Sequence, residues 1–399
     1  SVPAAIPSDV VFHELTSRDL RGQLREWADI CRAHTVDVVI DHQILYSSSW
    51  PEFALVARAE GASTIGWLHN FVARPIYDGT SRLSLIERCS DTLAKLVVLS
   101  PLDHAYFSLR GVPHTCYLPN PPSSLLVDSL RRKQGKAAPA GRLELVWWGR
   151  LEQHTKRVYD LIDVAVHLRR NKIDFRLRVV GPDWGDITAA KFNARARRAG
   201  VAHHVRAIGP LQGQDLADVI DSAHVFVSTS IIEGFQLTIA EAQARGLPVV
   251  MYELPWLTLT QDNGGVVSVP QGEAAALAGA IASLAADRSR YEAVSTAAVA
   301  AAARALDDDF EDLYRALIED DLPARFTPAA TLDDARSLLG LFVFYAEHSR
   351  GRRGSESRAE GTARVRLWRL FAPVGRRALR RIPVLRPLAH RAKGWLGAR

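Results

Sequence analysis

The stretch SIIEGFQLTIAEAQARGLPVVMYE (residues 230–253) decides how this chain folds. It follows the apolar run AHVFVSTS (223–230) and ends in a second one, LPVVMYE (247–253). Between them the apolar positions take helical spacing from about Thr238 to Arg245; Gly246 then ends the helix, and Pro248 opens the next run. Strand, loop, helix and strand in that order predict a βαβ unit, because parallel strands are buried on both faces and read as continuous apolar runs. Glu233 and Glu241 lie eight positions apart, the first on the loop at the strand's carboxyl end, the second about one turn inside the helix. The amides of Gln236, Leu237 and Thr238 at that helix start suit a phosphate group. Carboxylates beside an anion site need a different task, and accepting hydrogen bonds from sugar hydroxyls is the obvious one. Taken alone, two glutamates at this spacing could equally be a solvated helix face.

The same alternation runs outward in both directions. VDVVID (36–41), STIGWLH (63–69) and KLVVLS (95–100) read as strands, as do LELVWWG (143–149) and FRLRVVG (175–181). Helix-spaced segments separate them, so two doubly wound α/β domains are expected. RRKQGKAAPAG (131–141) has no apolar period and reads as the linker. The expected division is an N-terminal Rossmann-like domain over 1–136 and a C-terminal one over 140–318. A helical extension (319–350) and a basic tail (351–399) follow. Only about three strands precede the linker, and the first residue is Ser1, so the first domain is expected to lack a strand–helix pair. Ligands of such folds bind where the strands end.

Composition excludes several classes. At 399 residues, 47% hydrophobic and 24% charged, the chain is that of a globular enzyme rather than a disordered one. No run of eighteen apolar residues is present to span a bilayer, and the N-terminus lacks a basic start followed by an apolar core. Cys31, Cys89 and Cys116 have no CxxC spacing, which fits a reducing cytoplasm. Residues 351–399 carry fourteen Lys/Arg against Glu356 and Glu360, a net +12; the preceding 350 residues carry 36 basic and 42 acidic groups, a net −6. Within 364–399 arginines alternate with Leu367, Trp368, Phe371, Leu379, Ile382 and Trp395, while Pro373, Pro383 and Pro387 prevent one long helix. Peripheral contact with an anionic membrane is the expectation; a solvated tail and a nucleic-acid contact are the alternatives, and no nucleic acid is expected.

EGFQLTIAEAQARGLPVV (233–250) resembles the E-x7-E signature of retaining GT-B glycosyltransferases of family GT4, the glycosyl transferases group 1, commonly written EGFGLTxxEAxAxGxPVV. Gln236 stands where that pattern has glycine, which implies an altered sugar pocket. WWGRLEQHTKR (147–157) resembles the family's GRL…K element. Alone, Arg150 and Lys156 would be ordinary solvated loop charges. With the first motif, the resemblance implies that they neutralise the donor diphosphate and the charge developing on the leaving group. By the same resemblance Glu241 holds ribose, and Glu233 with His69, at the end of TIGWLHN, orients the sugar. Gly234, Phe235, Gln236, Leu237 and Thr238 complete the donor loop, and Pro210 and Leu211 face the base. His42, in IDHQ, reads as structural rather than catalytic. The glycine-rich loop usual after the family's first strand is absent.

The resemblance implies a GT-B fold, two Rossmann-like doubly wound domains facing a cleft. It implies a retaining hexosyltransferase using a UDP- or GDP-sugar, with no cofactor and no metal. With the basic tail it points to a glycan or lipid-linked acceptor in cell-envelope polysaccharide or glycolipid synthesis, at the inner face of the plasma membrane. A nucleotide-sugar epimerase and a catalytically silent partner subunit are the alternatives. Other chemistries lack their motifs: GxGxxG, GxxxxGK[ST], HExxH and GxSxG are all missing. The acidic run Asp307–Asp309 fits a helix start better than a metal site.

Overall fold

The computed structural model describes residues 9–129 and 135–353, which divide into two compact units. Unit 1 takes the chain up to Val98, then Leu102–Tyr117, then the segment from Ala324 onward. Its sheet is parallel and sequential: β1 (Val38–Asp41), β2 (Ser63–Trp67), β3 (Lys95–Val98) and β4 (Thr115–Tyr117). The fourth strand is one more than the apolar runs announce, because the three residues TCY are too short to show a period. The strand order never reverses within this sheet. The long helix Leu332–Arg353 packs on unit 1 through aromatics: Phe342 stacks on Tyr106 at 5.2 Å, and Tyr345 meets Tyr77 edge-on at 5.8 Å. The segment expected as a separate helical extension is therefore part of this unit's core.

Unit 2 spans Leu118–Pro323 with Leu99–Pro101. Six parallel strands, β5 (Leu143–Trp148), β6 (Phe175–Val180), β7 (Val205–Gly209), β8 (Val225–Ser228), β9 (Val249–Tyr252) and β10 (Val266–Val269), lie in the order β10-β9-β8-β5-β6-β7. The chain winds outward from β5 through β6 to β7, then returns to the other side of β5 to lay down β8, β9 and β10. The switch point lies between β5 and β8, and in open α/β sheets that is where strand ends leave a crevice for a nucleotide. All four residues of β8 and of β9 are buried, which is why they read as unbroken apolar runs. The edge strands β7 and β10 are half exposed and carry interruptions at Arg206 and Ser268, so neither stood out in the sequence.

The chain passes between the units at Tyr117/Leu118, earlier than the expected linker near residue 136. Helix Ser124–Ser129 packs on unit 2, with Leu126 buried among Ala240, Ala244 and Ala302. Beyond it the amide of Lys136 donates to Ser295 Oγ at 2.6 Å. Residues 354–399, nearly all of the basic tail, lie outside the described residues. Among the described residues no helix is long and apolar enough to cross a membrane.

Candidate functional site

Two loops meet at the carboxyl ends of β5 and β6. Gly149 and Gly181 both have positive φ, 152° and 150°. A Cβ on Gly181 would stand 1.7 Å from the Gly149 carbonyl oxygen, so only glycine lets the loops approach. Leu151 N then donates to Pro182 O at 2.9 Å. Arg150 emerges at this crossing, exposed, with its guanidinium carbon 4.3 Å from the centre of the Trp184 ring. Among the described residues it has no carboxylate partner.

The loop then turns toward β8. Glu152 accepts from the Thr155 amide at 3.0 Å and from its hydroxyl. The Thr155 carbonyl accepts from Ile231 N at 2.9 Å, and Thr229 Oγ1 donates to the Lys156 carbonyl at 2.8 Å. Those bonds tie residues 155 and 156 to the segment just past β8, where Lys156 Nζ donates to Glu233 Oε1 at 2.7 Å. The pair is mostly shielded, with side chains 18% and 13% exposed. Trp256 Nε1 holds the Glu233 carbonyl at 2.8 Å.

Gln236 adopts a left-handed backbone, φ 53° and ψ 65°, a conformation that costs a side-chain-bearing residue what glycine avoids. Its Nε2 donates to Ser228 Oγ at 2.7 Å, while its buried Oε1 has no partner among the described residues. Helix Leu237–Ala244 follows with no cap from the Gln236 side chain, and Ile239 N bonds back to the Gln236 carbonyl at 3.0 Å. Glu241, 8% exposed, accepts from Ser123 Oγ at 2.6 Å on one oxygen and from Trp148 Nε1 at 3.0 Å on the other. Each carboxylate oxygen keeps a further lone pair for a hydroxyl.

The structure thus gathers Arg150, Lys156, Glu233, Gly234, Phe235, Gln236, Leu237, Thr238 and Glu241 around the switch point. Gly234 and Phe235 are buried; Leu237 and Thr238 are half-buried. Pro210 and Leu211 follow β7, the edge strand two places from β5, and Pro210 is exposed. Sequence reading missed Trp184, Trp148 and Ser123. Trp148 was visible as the last apolar residue before the loop, but Ser123 is 118 residues from its partner and gave no signal.

His69 belongs to unit 1. Its Nε2 lies 2.7 Å from Nδ1 of His42, so one proton is shared between two imidazoles at the ends of neighbouring strands. The Trp67 ring stacks against His69 at 6.1 Å, an interplanar angle of 5°. Burial, and then the proximity of His42, push the His69 imidazolium down to about 4 from an ordinary 6.5. Burial also lowers His42 and raises Asp41. His42, read as structural from the sequence, is the direct partner of the candidate histidine. Among the described residues no group of three or more His, Cys, Asp or Glu is placed to hold a metal ion.

A six-stranded sheet of Rossmann order, with Arg150, Lys156, Glu233 and Glu241 on the loops and helix that follow β5 and β8, makes this an α/β protein of two units with a charged switch point. Residues 142–287 match the family model described as glycosyl transferases group 1, and that part of the chain is a domain of this family. Among curated relatives, the D-inositol 3-phosphate glycosyltransferase of Corynebacterium kroppenstedtii is 30% identical over 226 residues, 53% of this chain and 49% of the relative. The glycogen synthase of Mycobacterium tuberculosis is 26% identical over 274 residues, 66% of this chain and 62% of the relative. The chain therefore spans about half the length of the first of these and less than two thirds of the second. HepE from Anabaena in complex with UDP superposes with a TM-score of 0.60 at 17% identity, covering 75% of this chain and 82% of that one. The fold is GT-B.

Proposed function

We propose that the protein is a retaining hexosyltransferase that takes a sugar from a nucleotide-diphosphate donor and passes it to a glycan or lipid-linked acceptor. The observation that carries the proposal is the convergence at the switch point of unit 2. The Lys156–Glu233 pair and the Trp148–Glu241 bond place two carboxylates, one ammonium and a helix start on the ends of β5 and β8. A nucleoside diphosphate needs that combination: cations and amides for phosphate, carboxylates for hydroxyls.

In this reading Arg150, Lys156 and the amides of Leu237 and Thr238 hold the diphosphate and stabilise the negative charge that develops as the glycosidic bond breaks. Glu241 accepts from ribose, and Glu233 orients the sugar. The loop residues Gly234, Phe235 and Gln236 line the sugar site, and Pro210 with Leu211 meets the base. Unit 1 serves the acceptor, and its His69 is a catalytic imidazole. The acceptor hydroxyl attacks from the leaving-group side, and a phosphate oxygen takes its proton, so neither an enzymic nucleophile nor a metal is invoked. The family match and the glycosyltransferase relatives support the transfer chemistry. Work at the inner membrane face in cell-envelope synthesis is proposed from the basic tail, residues 364–399.

The test is slow donor hydrolysis by the full chain with UDP- and GDP-sugars, followed by proton NMR of the sugar first released. Release with the donor's own anomeric configuration supports retention. An inverted product, or no turnover of any donor by a folded protein that binds nucleotide, contradicts the proposal.

A further inference from the structure

The two cations of the switch point are held in different ways. Lys156 is paired with Glu233 at 2.7 Å. Arg150 meets no carboxylate among the described residues; its guanidinium instead covers one face of Trp184, a side chain that leaves 48% of its surface exposed. The backbone under both residues is fixed. Gly149 N donates to Val180 O at 3.0 Å and Leu151 N to Pro182 O at 2.9 Å, bracketing Arg150. Trp184 and Ile187 exchange amide bonds of 3.0 and 3.1 Å, and Asp183 Oδ1 caps the next helix at Ala189 N, 2.8 Å. The loop carrying Trp184 is thus a built shelf rather than a free surface loop.

A guanidinium lying on an aromatic face has that face blocked and its N–H edge open. Edge-on is also how guanidinium meets two phosphate oxygens at once. We propose that Trp184 is a positioning residue: it holds Arg150 so that the N–H edge meets the diphosphate of the donor. The proposal deepens the donor-site reading above and rests on it. Trp184 acts through Arg150 and only on ligands with a second phosphate.

The experiment is calorimetric binding of UDP, GDP and the matching monophosphates to the full chain and to Trp184→Ala, Trp184→Phe, Arg150→Ala, Arg150→Lys and the Trp184→Ala/Arg150→Ala double variant. Both side chains are exposed, so folding is retained; circular dichroism checks it. Trp184→Ala is expected to weaken diphosphate binding about fivefold and monophosphate binding by no more than about twofold, the former being the upper size expected for losing one exposed cation–π contact. Trp184→Phe keeps most of the affinity, and Arg150→Lys, with no planar edge, loses as much as Trp184→Ala. In the Arg150→Ala background, removing Trp184 has no further effect. Equal loss for mono- and diphosphate, or additive losses in the double variant, overturns the proposal in favour of direct stacking or a structural role. If Arg150→Ala weakens diphosphate binding and Trp184→Ala does not, the inference falls and the donor site stands. If neither UDP nor GDP binds the wild type, the donor site falls first and takes the inference with it.

Discussion

Gln236 is the residue where this chain spends conformational energy. Its left-handed backbone is held by one side-chain bond, Nε2 to Ser228 Oγ at 2.7 Å. Gln236→Ala keeps the strain and loses the bond, whereas Gln236→Gly loses the bond but also the strain. Urea denaturation is therefore expected to find the glycine variant more stable than the alanine variant by about 1 kcal/mol. The reverse order would contradict a strained role. Glu241 makes the complementary case. Glu241→Ala leaves Ser123 Oγ and Trp148 Nε1 without their acceptor, at a cost of roughly 1–3 kcal/mol. Glu241→Gln keeps an acceptor for one of them and should lie between Glu241→Ala and the wild type in thermal unfolding. The two glutamates were legible as a pair because a strand, a glycine loop and a helix surround them. Their partners were not, since Ser123 and Trp148 reach Glu241 only through tertiary packing.

At the scale of elements, the site depends on two loops that cross where two glycines touch. Gly181→Ala would put a methyl group 1.7 Å from the Gly149 carbonyl, and the obstacle is backbone that cannot rotate away. The substitution is expected to destabilise unit 2 by at least about 2 kcal/mol and to weaken nucleotide binding by separating Arg150 from Trp184. Unfolding and binding measured on the same sample check both. The central strands β5, β8 and β9 were legible as apolar runs because both their faces are covered, and β6 by the apolar positions that flank Arg176 and Arg178. The partly exposed edge strands β7 and β10 and the three-residue β4 were not. Nor was the helix Leu332–Arg353 assignable to unit 1, because its aromatic partners Phe71, Tyr77 and Tyr106 lie more than 200 positions earlier.

At the scale of the whole molecule, the His42–His69 pair, with His69 half-buried and His42 at the surface, links stability to pH. His69 binds its proton at about 4 in the folded chain against an ordinary 6.5, so below 6.5 the unfolded chain takes up protons that the folded one does not. Stability from this group is fully present above 6.5 and is lost as pH falls toward 4. The raised Asp41 acts in the opposite sense in acid. A His69→Asn variant is expected to show a shallower fall in melting temperature across that window; an unchanged slope would mean that the pair does not titrate in the fold.

The account stands or falls on whether unit 2 holds a nucleoside diphosphate at its switch point. The most direct measurement is calorimetric titration of the full chain and of Arg150→Ala with UDP and GDP. Binding of one of them, weakened at least about tenfold by the substitution, is the predicted result for a bidentate phosphate contact. A folded protein that binds neither, or binds equally well without Arg150, contradicts it.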